Sequence, residues 1–398
     1  MRIPILKIPF SDEDRKFLEA GVETILTSGQ LTMGSCTNQF EEQFAEFVGS
    51  KFAIACSNGT AALELILRAL RIEGSEIIVP TNTFMATALA VMHSGNRVVF
   101  ADSEPATLCL DVDDVERRIS DRTAGVILVH IGGIITPAVG RLRKLCEEKG
   151  LYLIEDCAHA HGSAIDGKRA GALGVAGAFS FFPTKVLTTG EGGMITTDNE
   201  SLARQLRILR NHGKNPELGG SISEFGNNHR MSEITALFGI QQVKQANRII
   251  AERRNIAKFY DSRLDAIEGL HRLKIPENVF STYYKYPVYL SDNVQRSDLK
   301  RAMIERHGVS LTGEVYANLC HSEPVWQDYT YCGRRRANAV EVCPLSSKCN
   351  CGQFQSGFPG AEYISRQHIC LPLYPGLSLA ELEYVVESLS TEIASVRR

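Results

Sequence analysis

The stretch FAIACSNGTAALELILRAL, residues 52–70, changes its pattern part-way along. FAIAC is short and apolar, as buried strands are, whereas AALELILRAL has the length and apolar spacing of a helix. The residues SNGT (57–60) between them are types that favour a helix N-terminus. The stretch therefore predicts a strand that ends near Cys56 and a helix that begins near Ala61.

The same alternation of strand and helix continues through the first two thirds of the chain. Buried strands are predicted at residues 52–56, 76–80, 97–102, 125–130, 151–156 and around AFSFF, with helices at 61–72 and 141–150. This order is typical of an α/β fold with a mostly parallel sheet covered by helices on both faces.

The chain changes character after a long amphipathic stretch at residues 231–264. A strand pattern at 283–290 is followed by helical patterns at 297–308 and 377–396, which predicts a smaller C-terminal α+β domain. We therefore expect a large α/β domain with an N-terminal arm at residues 1–245 and a small domain at 246–398.

Composition and charge exclude several classes of protein. The 398 residues are 44% hydrophobic and 22% charged with a net charge of −3, so neither a nucleic-acid footprint nor a strongly acidic field is indicated. No apolar run approaches the roughly 18 residues that cross a bilayer. The N-terminus MRIPILKIPFSDED lacks the apolar core of a signal peptide, so a cytoplasmic protein is expected.

The eleven cysteines favour a core role over a disulfide framework. Most stand singly in apolar runs, as Cys56, Cys109, Cys146 and Cys157 do. A denser group comprises Cys332, Cys343, Cys349 and Cys351. A metal site there is the alternative, but paired CxxC spacing is absent, so the pattern favours an irregular insertion without metal.

Three short motifs carry the chemistry. Ser57, Asn58, Gly59 and Thr60 open a helix, whose N-terminus can bind phosphate, although the same residues also suit an ordinary cap. Asp156 ends the strand LYLIED, where a carboxylate can accept a hydrogen bond from a protonated ring nitrogen. A helix cap is an alternative role for Asp156, and a metal site with His159 and His161 is another.

Lys185 lies between the apolar run AFSFF and the glycine cluster TTGEGG. A buried lysine has a lowered pKa, and its neutral amine can attack a carbonyl carbon. A surface lysine in a glycine loop is the alternative, and the P-loop order is absent. A phosphate cradle, a carboxylate and a lysine at the ends of strands in one sheet are the three groups that pyridoxal phosphate requires.

The sequence resembles the DegT/DnrJ/EryC1/StrS family of sugar aminotransferases, which are fold-type I pyridoxal-phosphate enzymes. The resemblance rests on the following segments: FEEQFAEFVGSKFAIACSNGTAALELILRAL, EIIVPTNTFMATALAVMHSGNRVVFAD, LYLIEDCAHAHG, FSFFPTKVLTTGEGG, NNHRMSEITALFGIQQ and ICLPLYPGLS. It implies a seven-stranded, mostly parallel sheet in the large domain. A dehydratase branch of the family carries His in place of the lysine, so Lys185 favours aminotransfer.

The resemblance also implies roles for single residues in cofactor binding. Lys185 would be the Schiff-base lysine and proton shuttle, and Asp156 would pair with the pyridine nitrogen. Gly59, Thr60 and Ser180 would bind the phosphate together with Ser57 and Asn58. Phe84 would stack on one ring face, with a core phenylalanine as its alternative, and Ala158 would pack on the other. His159 would lie near the 3-hydroxyl group.

The partners follow from the same resemblance. Asn228 would reach the cofactor phosphate of a second subunit in a homodimer, with a turn asparagine as its alternative. The family's aromatic-Asn-aromatic-Arg pattern is altered here to NNHR (227–230), on both sides of Asn228. Residues 326–358 are longer and richer in cysteine than the usual connection, in a region expected to bear on specificity.

The expected reaction moves an amino group from glutamate or glutamine to a keto group of a nucleotide-linked deoxysugar. Arg230, Tyr316 and His321 are candidates for binding the substrate, and each is equally compatible with a structural role. A free keto-cyclitol or another keto-sugar is an alternative acceptor. A non-catalytic regulatory protein on the same fold and a metal-binding protein are alternatives of other classes.

Overall fold

A computed structural model of the protein describes residues 2–328 and 357–396. Its centre is a seven-stranded sheet in the order β1-β7-β6-β5-β4-β2-β3. The strands are β1 (Phe52–Cys56), β2 (Glu76–Pro80), β3 (Arg97–Ala101), β4 (Thr123–Val129), β5 (Tyr152–Asp156), β6 (Ala176–Ser180) and β7 (Gly193–Thr197). The predicted strands agree with these bounds to within two residues at all five positions for which ranges were predicted.

Only β7 runs against its neighbours, because it pairs antiparallel with both β1 and β6. The remaining pairs are parallel. All five residues of β2 and of β7 are buried, as expected for strands that helices cover on both faces. The predicted α/β fold with a mostly parallel sheet is therefore confirmed.

Strand β7 was not predicted, because its sequence begins in the glycine cluster that suggested a turn. The structure shows why a glycine starts this strand. A Cβ atom on Gly193 would lie 2.3 Å from the backbone oxygen of Asn58, a separation that no side chain tolerates. Gly193 thus allows β7 to pass directly beside the segment that opens the next helix.

Twelve α-helices lie within the described residues. They are α1 (Asp12–Ser28), α2 (Ser35–Val48), α3 (Gly59–Ala69), α4 (Ala86–His93), α5 (Val112–Arg118), α6 (Val139–Lys149), α7 (Glu200–Leu209), α8 (Glu233–Arg263), α9 (Arg296–His307), α10 (Val325–Asp328), α11 (Pro359–Gln367) and α12 (Leu379–Val396). Single 3-10 turns occur at Ile131–Gly133, Pro216–Leu218, Leu264–Ala266 and Cys320–Ser322. No helix among the described residues is long and apolar enough to cross a membrane.

A second, three-stranded sheet forms the centre of the C-terminal region, in the order β8-β9-β10. Its strands are β8 (Leu270–Arg272), β9 (Tyr286–Leu290) and β10 (His368–Leu371). Short two-residue strands pair elsewhere, at Ala164–Ile165, Lys168–Arg169, Val279–Phe280, Lys214–Asn215 and Ser221–Ile222.

The buried apolar residues form two clusters, one around each sheet. Helix α8 contributes to both, with Ile249 and Ile250 in the first cluster and Ile256 and Ala257 in the second. The predicted domain boundary at 245/246 falls inside this helix and stays a prediction.

The cysteines within the described residues are free, and six of the seven are buried. This agrees with the core role predicted for Cys56, Cys109, Cys146 and Cys157. The candidate metal group of Cys332, Cys343, Cys349 and Cys351 lies outside the described residues.

Candidate active site

Lys185 lies in the turn that follows β6, and its backbone N–H donates to the carbonyl oxygen of Phe182 at 2.9 Å. Its ammonium group lies 5.0 Å from the centre of the Tyr284 ring. Burial lowers the pKa of Lys185 to about 8, with the nearby Asp156 carboxylate opposing the shift and the Lys285 ammonium adding to it. The side chain is therefore a partly enclosed amine rather than a solvated surface lysine.

Asp156 closes strand β5, and its buried carboxylate is held by two hydrogen bonds. The Thr87 hydroxyl of α4 donates to Oδ2 at 2.8 Å, and the Ala158 backbone N–H donates to Oδ1 at 3.1 Å. Both bonds fix the orientation of an acidic group at the carboxyl edge of the sheet, where ligands of parallel sheets bind.

The N-terminus of α3 faces the end of β6. The Asn58 side chain caps this helix by accepting from the Ala61 N–H at 2.8 Å. A Cβ atom on Gly59 would lie 2.7 Å from the Cβ of Ser180, so the start of the helix and Ser180 are in direct contact. Ser57, Thr60 and their two neighbours are half-buried. This arrangement gathers hydroxyl groups and a helix N-terminus in one place, as anion binding requires.

His159 is buried and stacks on Tyr284, with ring centres 4.0 Å apart and planes 20° apart. The Gly132 N–H donates to Nδ1 at 3.4 Å, so Nε2 carries the proton and faces the Tyr316 hydroxyl oxygen at 3.1 Å. Burial, followed by the charges of Lys185 and Lys285, lowers the pKa of His159 well below its usual value. The imidazole is therefore neutral and fixed in one tautomer.

Phe84 follows β2 and is 63% exposed. This exposure contradicts the alternative of a core phenylalanine. Its ring centre lies 6.2 Å from that of Tyr316, whose backbone N–H donates to the Asn82 side-chain oxygen at 2.9 Å. Phe84 and Tyr316 thus present two aromatic rings on the same side of the site.

Asn228 and Arg230 both contact Asn211. Asn228 is exposed and pairs with Asn211 as an isolated β-bridge, and the Arg230 guanidinium donates to the Asn211 side-chain oxygen at 2.9 Å. The backbone carbonyl oxygen of His229, between Asn228 and Arg230, accepts a hydrogen bond from the Ser57 N–H at 2.9 Å. This bond brings the segment to the start of α3. The contact of Asn228 with a second subunit stays a prediction.

His321 is anchored against the end of β2, with Nδ1 2.6 Å from the Thr81 hydroxyl oxygen and its ring 4.5 Å from Phe358. It is half-buried, and burial lowers its pKa. These contacts account for a structural role of His321, and its contact with substrate stays a prediction.

The sequence matches the DegT/DnrJ/EryC1/StrS aminotransferase family over residues 12–390. The chain belongs to this family. Its members are pyridoxal-phosphate enzymes, which confirms the predicted fold, cofactor class and enzyme class at the level of the family.

Relatives of this aminotransferase match it along nearly its whole length. A GDP-perosamine synthase of Vibrio cholerae is 32% identical over 377 residues, which cover 94% of this chain and 95% of that protein. The crystal structure of DesV from S. venezuelae is similar with a TM-score of 0.85 and 28% identity, covering 98% of each chain. NtdA from Bacillus subtilis with its bound cofactor PMP has a TM-score of 0.83 and 26% identity, covering 98% of this chain and 85% of that one.

The residues of this aminotransferase fit the family's cofactor. An amine of lowered pKa, an oriented carboxylate and a helix N-terminus with hydroxyl groups are all present, and all follow strands of one sheet. The amine can react with the aldehyde carbon of pyridoxal phosphate, the carboxylate can pair with its pyridine nitrogen, and the helix N-terminus can bind its phosphate.

Sequence reasoning missed Thr87, Tyr284 and Lys285. Thr87 is one of many threonines after a strand, and nothing local marks it as the donor to Asp156. The alternation in YYKYPVYL (283–290) predicts only a strand, although its aromatic residues and lysine are also typical of a surface that binds a ring. Both sets of contacts join residues far apart in the chain, which a local pattern does not show.

Proposed function

We propose that this protein transfers an amino group from glutamate or glutamine to a keto group on a nucleotide-linked deoxysugar, using pyridoxal phosphate. The observation that carries the proposal is the partly enclosed Lys185 amine, with a pKa of about 8, within electrostatic range of the Asp156 carboxylate. The name of the Vibrio cholerae relative, a GDP-perosamine synthase, supports a nucleotide-linked acceptor.

The cofactor would be held by residues on three elements. The α3 N-terminus, with Ser57 to Thr60, and the adjoining Ser180 would bind its phosphate. Asp156 would keep the ring nitrogen protonated, because its negative charge stabilises the pyridinium and its oxygen accepts the N–H, while Thr87 and Ala158 orient the carboxylate. When bound, the cofactor supplies an electron sink that stabilises negative charge on the substrate carbon.

The two faces and one edge of the ring would be covered by other residues of the site. Phe84 would stack on one face, and an offset aromatic contact of this kind contributes about 1 kcal/mol. Ala158 would pack on the opposite face. His159 would lie at the hydroxyl edge, where its neutral ring is held by Gly132, Tyr284 and Tyr316.

Lys185 would move the proton between substrate carbon and cofactor. An amine with a pKa near 8 is neutral often enough at physiological pH to accept a proton, and its conjugate acid is strong enough to return it. Partial burial also keeps bulk water from competing for the proton.

Substrate and subunit contacts complete the proposal. Tyr316, whose hydroxyl group faces His159, would contact the substrate together with Arg230 and His321. Asn228 would contact the cofactor phosphate of a second copy, so the functional unit would be a homodimer.

The experiment uses the pyridoxamine form of the purified enzyme and a panel of nucleotide-linked keto-sugars, free keto-sugars and keto-cyclitols. We expect a nucleotide-linked sugar to restore the aldehyde-form absorbance, and glutamate or glutamine to reverse the change. Lys185→Ala should abolish both changes, whereas Lys168→Ala, at an exposed lysine, should not.

Each other result has a defined meaning. If only a keto-cyclitol restores the aldehyde-form absorbance, the acceptor is a cyclitol and the reaction is still an amino-group transfer. Wild-type protein that binds no pyridoxal phosphate, or that binds it but transfers no amino group to any member of the panel, would contradict the proposal and favour a regulatory protein on this fold.

A further inference from the structure

Lys285 is a second lysine at this site, and none of the ion pairs formed within residues 2–328 and 357–396 includes its ammonium group. The group lies 5.3 Å from the centre of the Tyr284 ring, and the Lys185 ammonium lies 5.0 Å from the same centre. Within residues 2–328 and 357–396, no carboxylate oxygen lies within 4.0 Å of the Lys285 ammonium. A half-buried lysine without a counter-charge is unusual, because such cations are normally paired.

The charged groups around Lys285 do not neutralise it. Glu314 is engaged by the ammonium group of Lys300. Arg253 of α8 adds a further positive charge, with its guanidinium bound to the Tyr284 carbonyl oxygen at 2.8 Å. The Cys370 thiol of β10 is buried, which raises its pKa to about 12 and leaves it neutral. Among the described groups named here, cations therefore outnumber carboxylates around Lys285.

The backbone and its neighbours hold Lys285 beside the site. Its N–H donates to the Gly132 carbonyl oxygen at 3.5 Å, and the Gly132 N–H is the group that donates to His159. A Cβ atom on Gly313 would lie 2.9 Å from the Lys285 ammonium, so glycine at that position leaves room for the charged group. Lys285 is thus held next to the stacked rings of Tyr284 and His159, beside which Lys185 also lies.

We propose that Lys285 binds a carboxylate group of a substrate beside Lys185, an inference that rests on the proposed function. The two amino groups lie 5.0 and 5.3 Å from the centre of one ring, so they repel each other whenever both are protonated, and a nearby carboxylate would reduce that repulsion. The amino donor carries a carboxylate on the very carbon whose proton Lys185 would remove, so this carboxylate must lie within a bond of the reacting atom. A carboxylate on the sugar acceptor is the other source of the same chemistry.

The cofactor phosphate does not fit this position as well. Its cradle lies at the start of α3 and at Ser180, whereas Lys285 lies beside Tyr284 and Gly132. The two sites belong to different elements, so one cofactor anion and one substrate anion would be bound separately.

The test measures each half of the reaction in Lys285→Met, Lys285→Gln and Lys285→Arg. A charge-assisted hydrogen bond lost from a carboxylate weakens binding about tenfold or more, so we expect that loss of affinity for glutamate or glutamine in the Met and Gln variants. Arg keeps the charge and should restore most of the affinity. Lys244→Met is the matched control, because Lys244 also lies over an aromatic ring, 4.4 Å from Phe17 on α1.

A second readout does not depend on turnover. Calorimetric binding of glutarate, a dicarboxylate without an amino group, should weaken in Lys285→Met and Lys285→Gln but not in Lys285→Arg or Lys244→Met. The pH midpoint of the Lys185 amine should rise in the two neutral variants, because the Lys285 charge contributes to lowering the Lys185 pKa.

The outcomes separate the sources of the carboxylate. Weakening confined to the donor half-reaction assigns Lys285 to the amino acid, and weakening confined to the acceptor half assigns it to a carboxylate on the sugar. Equal affinity in all folded variants, or a similar loss in both halves, overturns the proposal. Glutarate binding that depends on Lys285 in an enzyme that aminates no sugar would leave this inference standing and refute the proposed acceptor.

Discussion

Replacing Glu155 by Gln should destabilise the protein strongly, because this buried carboxylate accepts hydrogen bonds on both of its oxygens. Oε2 accepts from His130 Nε2 and the Gly171 N–H, each at 2.9 Å. Oε1 accepts from the N–H groups of Leu173 at 2.7 Å and Gly174 at 2.8 Å. The carboxylate therefore fastens the loop before β6 to strand β5, directly beside the residue proposed to hold the cofactor ring.

The size of this loss of stability follows from the number of hydrogen-bond donors that face the Glu155 side chain. A glutamine must turn its NH₂ group toward one pair of donors, and the least costly choice faces His130, which can change tautomer and accept. The Gly171 N–H then has no acceptor, and the other bonds lose their charge assistance. An unsatisfied buried N–H costs about 1–3 kcal/mol, so we expect a total loss of about 2–4 kcal/mol in the free energy of unfolding.

The assay is denaturant unfolding of wild type and Glu155→Gln at one protein concentration and fixed cofactor concentration. The control is Glu148→Gln, because Glu148 forms only an exposed ion pair with Lys144 at 3.6 Å, and such pairs contribute about 0–1 kcal/mol. An unfolding midpoint for Glu155→Gln equal to that of the control would refute the assignment of Glu155 as a buried acceptor.

The effect of Glu155 should depend on pH with a defined sign. Burial alone would raise the pKa of Glu155, but the hydrogen bond and charge of His130 and the backbone N–H groups outweigh it and hold the pKa below its usual 4.5. A lowered pKa gives a stabilisation that is complete above the unfolded-state value and is lost as the pH falls through the folded-state value. The difference between wild type and Glu155→Gln should therefore be largest above pH 4.5 and shrink below it.

Three further predictions concern the site itself. Thr87→Val removes the hydroxyl donor to Asp156 and should weaken cofactor retention by about 1.5–3 kcal/mol, measured by dialysis against buffer, while Thr24→Val on the exposed face of α1 should have no effect. Gly59→Ala should clash with Ser180 and lower both the cofactor affinity and the melting temperature. Gly140→Ala in α6, where a Cβ meets no atom within 4 Å, should leave both quantities unchanged or slightly higher. Equal effects of the two substitutions would contradict the phosphate site proposed at Gly59 and Ser180. The rate at which cofactor-free protein takes up pyridoxal phosphate should rise with pH around a midpoint of about 8, because the neutral Lys185 amine is the reacting form, and a midpoint near the ordinary 10.5 would show a solvated lysine.

Much of the fold follows from local patterns, because buried parallel strands and their capped helices are short-range features of the sequence. The strands at 52–56 and 76–80 were predicted to the residue, and helix α8 to within two residues of each end. Strand β7 was missed because a glycine that usually indicates a turn is here required by the close approach of Asn58. That requirement comes from a neighbouring element and leaves no mark in the surrounding sequence.

The site was predictable where one residue type is rare in its context and unpredictable where the type is common. A lysine beside apolar residues and glycines, or an aspartate at the end of a buried strand, is unusual enough to indicate chemistry. Threonine and tyrosine occur throughout the chain, and the roles of Thr87 and Tyr284 arise only from tertiary contacts with Asp156 and His159.

Helix α8 joins the two apolar clusters as one uninterrupted rod of 31 residues, about 46 Å long at 1.5 Å per residue. Because no loop separates its two halves, a swing of one cluster relative to the other would have to bend this helix, which breaks or lengthens backbone hydrogen bonds. Tyr284 and Lys285 directly precede β9 of the small sheet, and Tyr284 belongs to the same apolar cluster as Ile249 of α8. A change in the relative position of the two clusters would therefore be opposed by the backbone hydrogen bonds of α8.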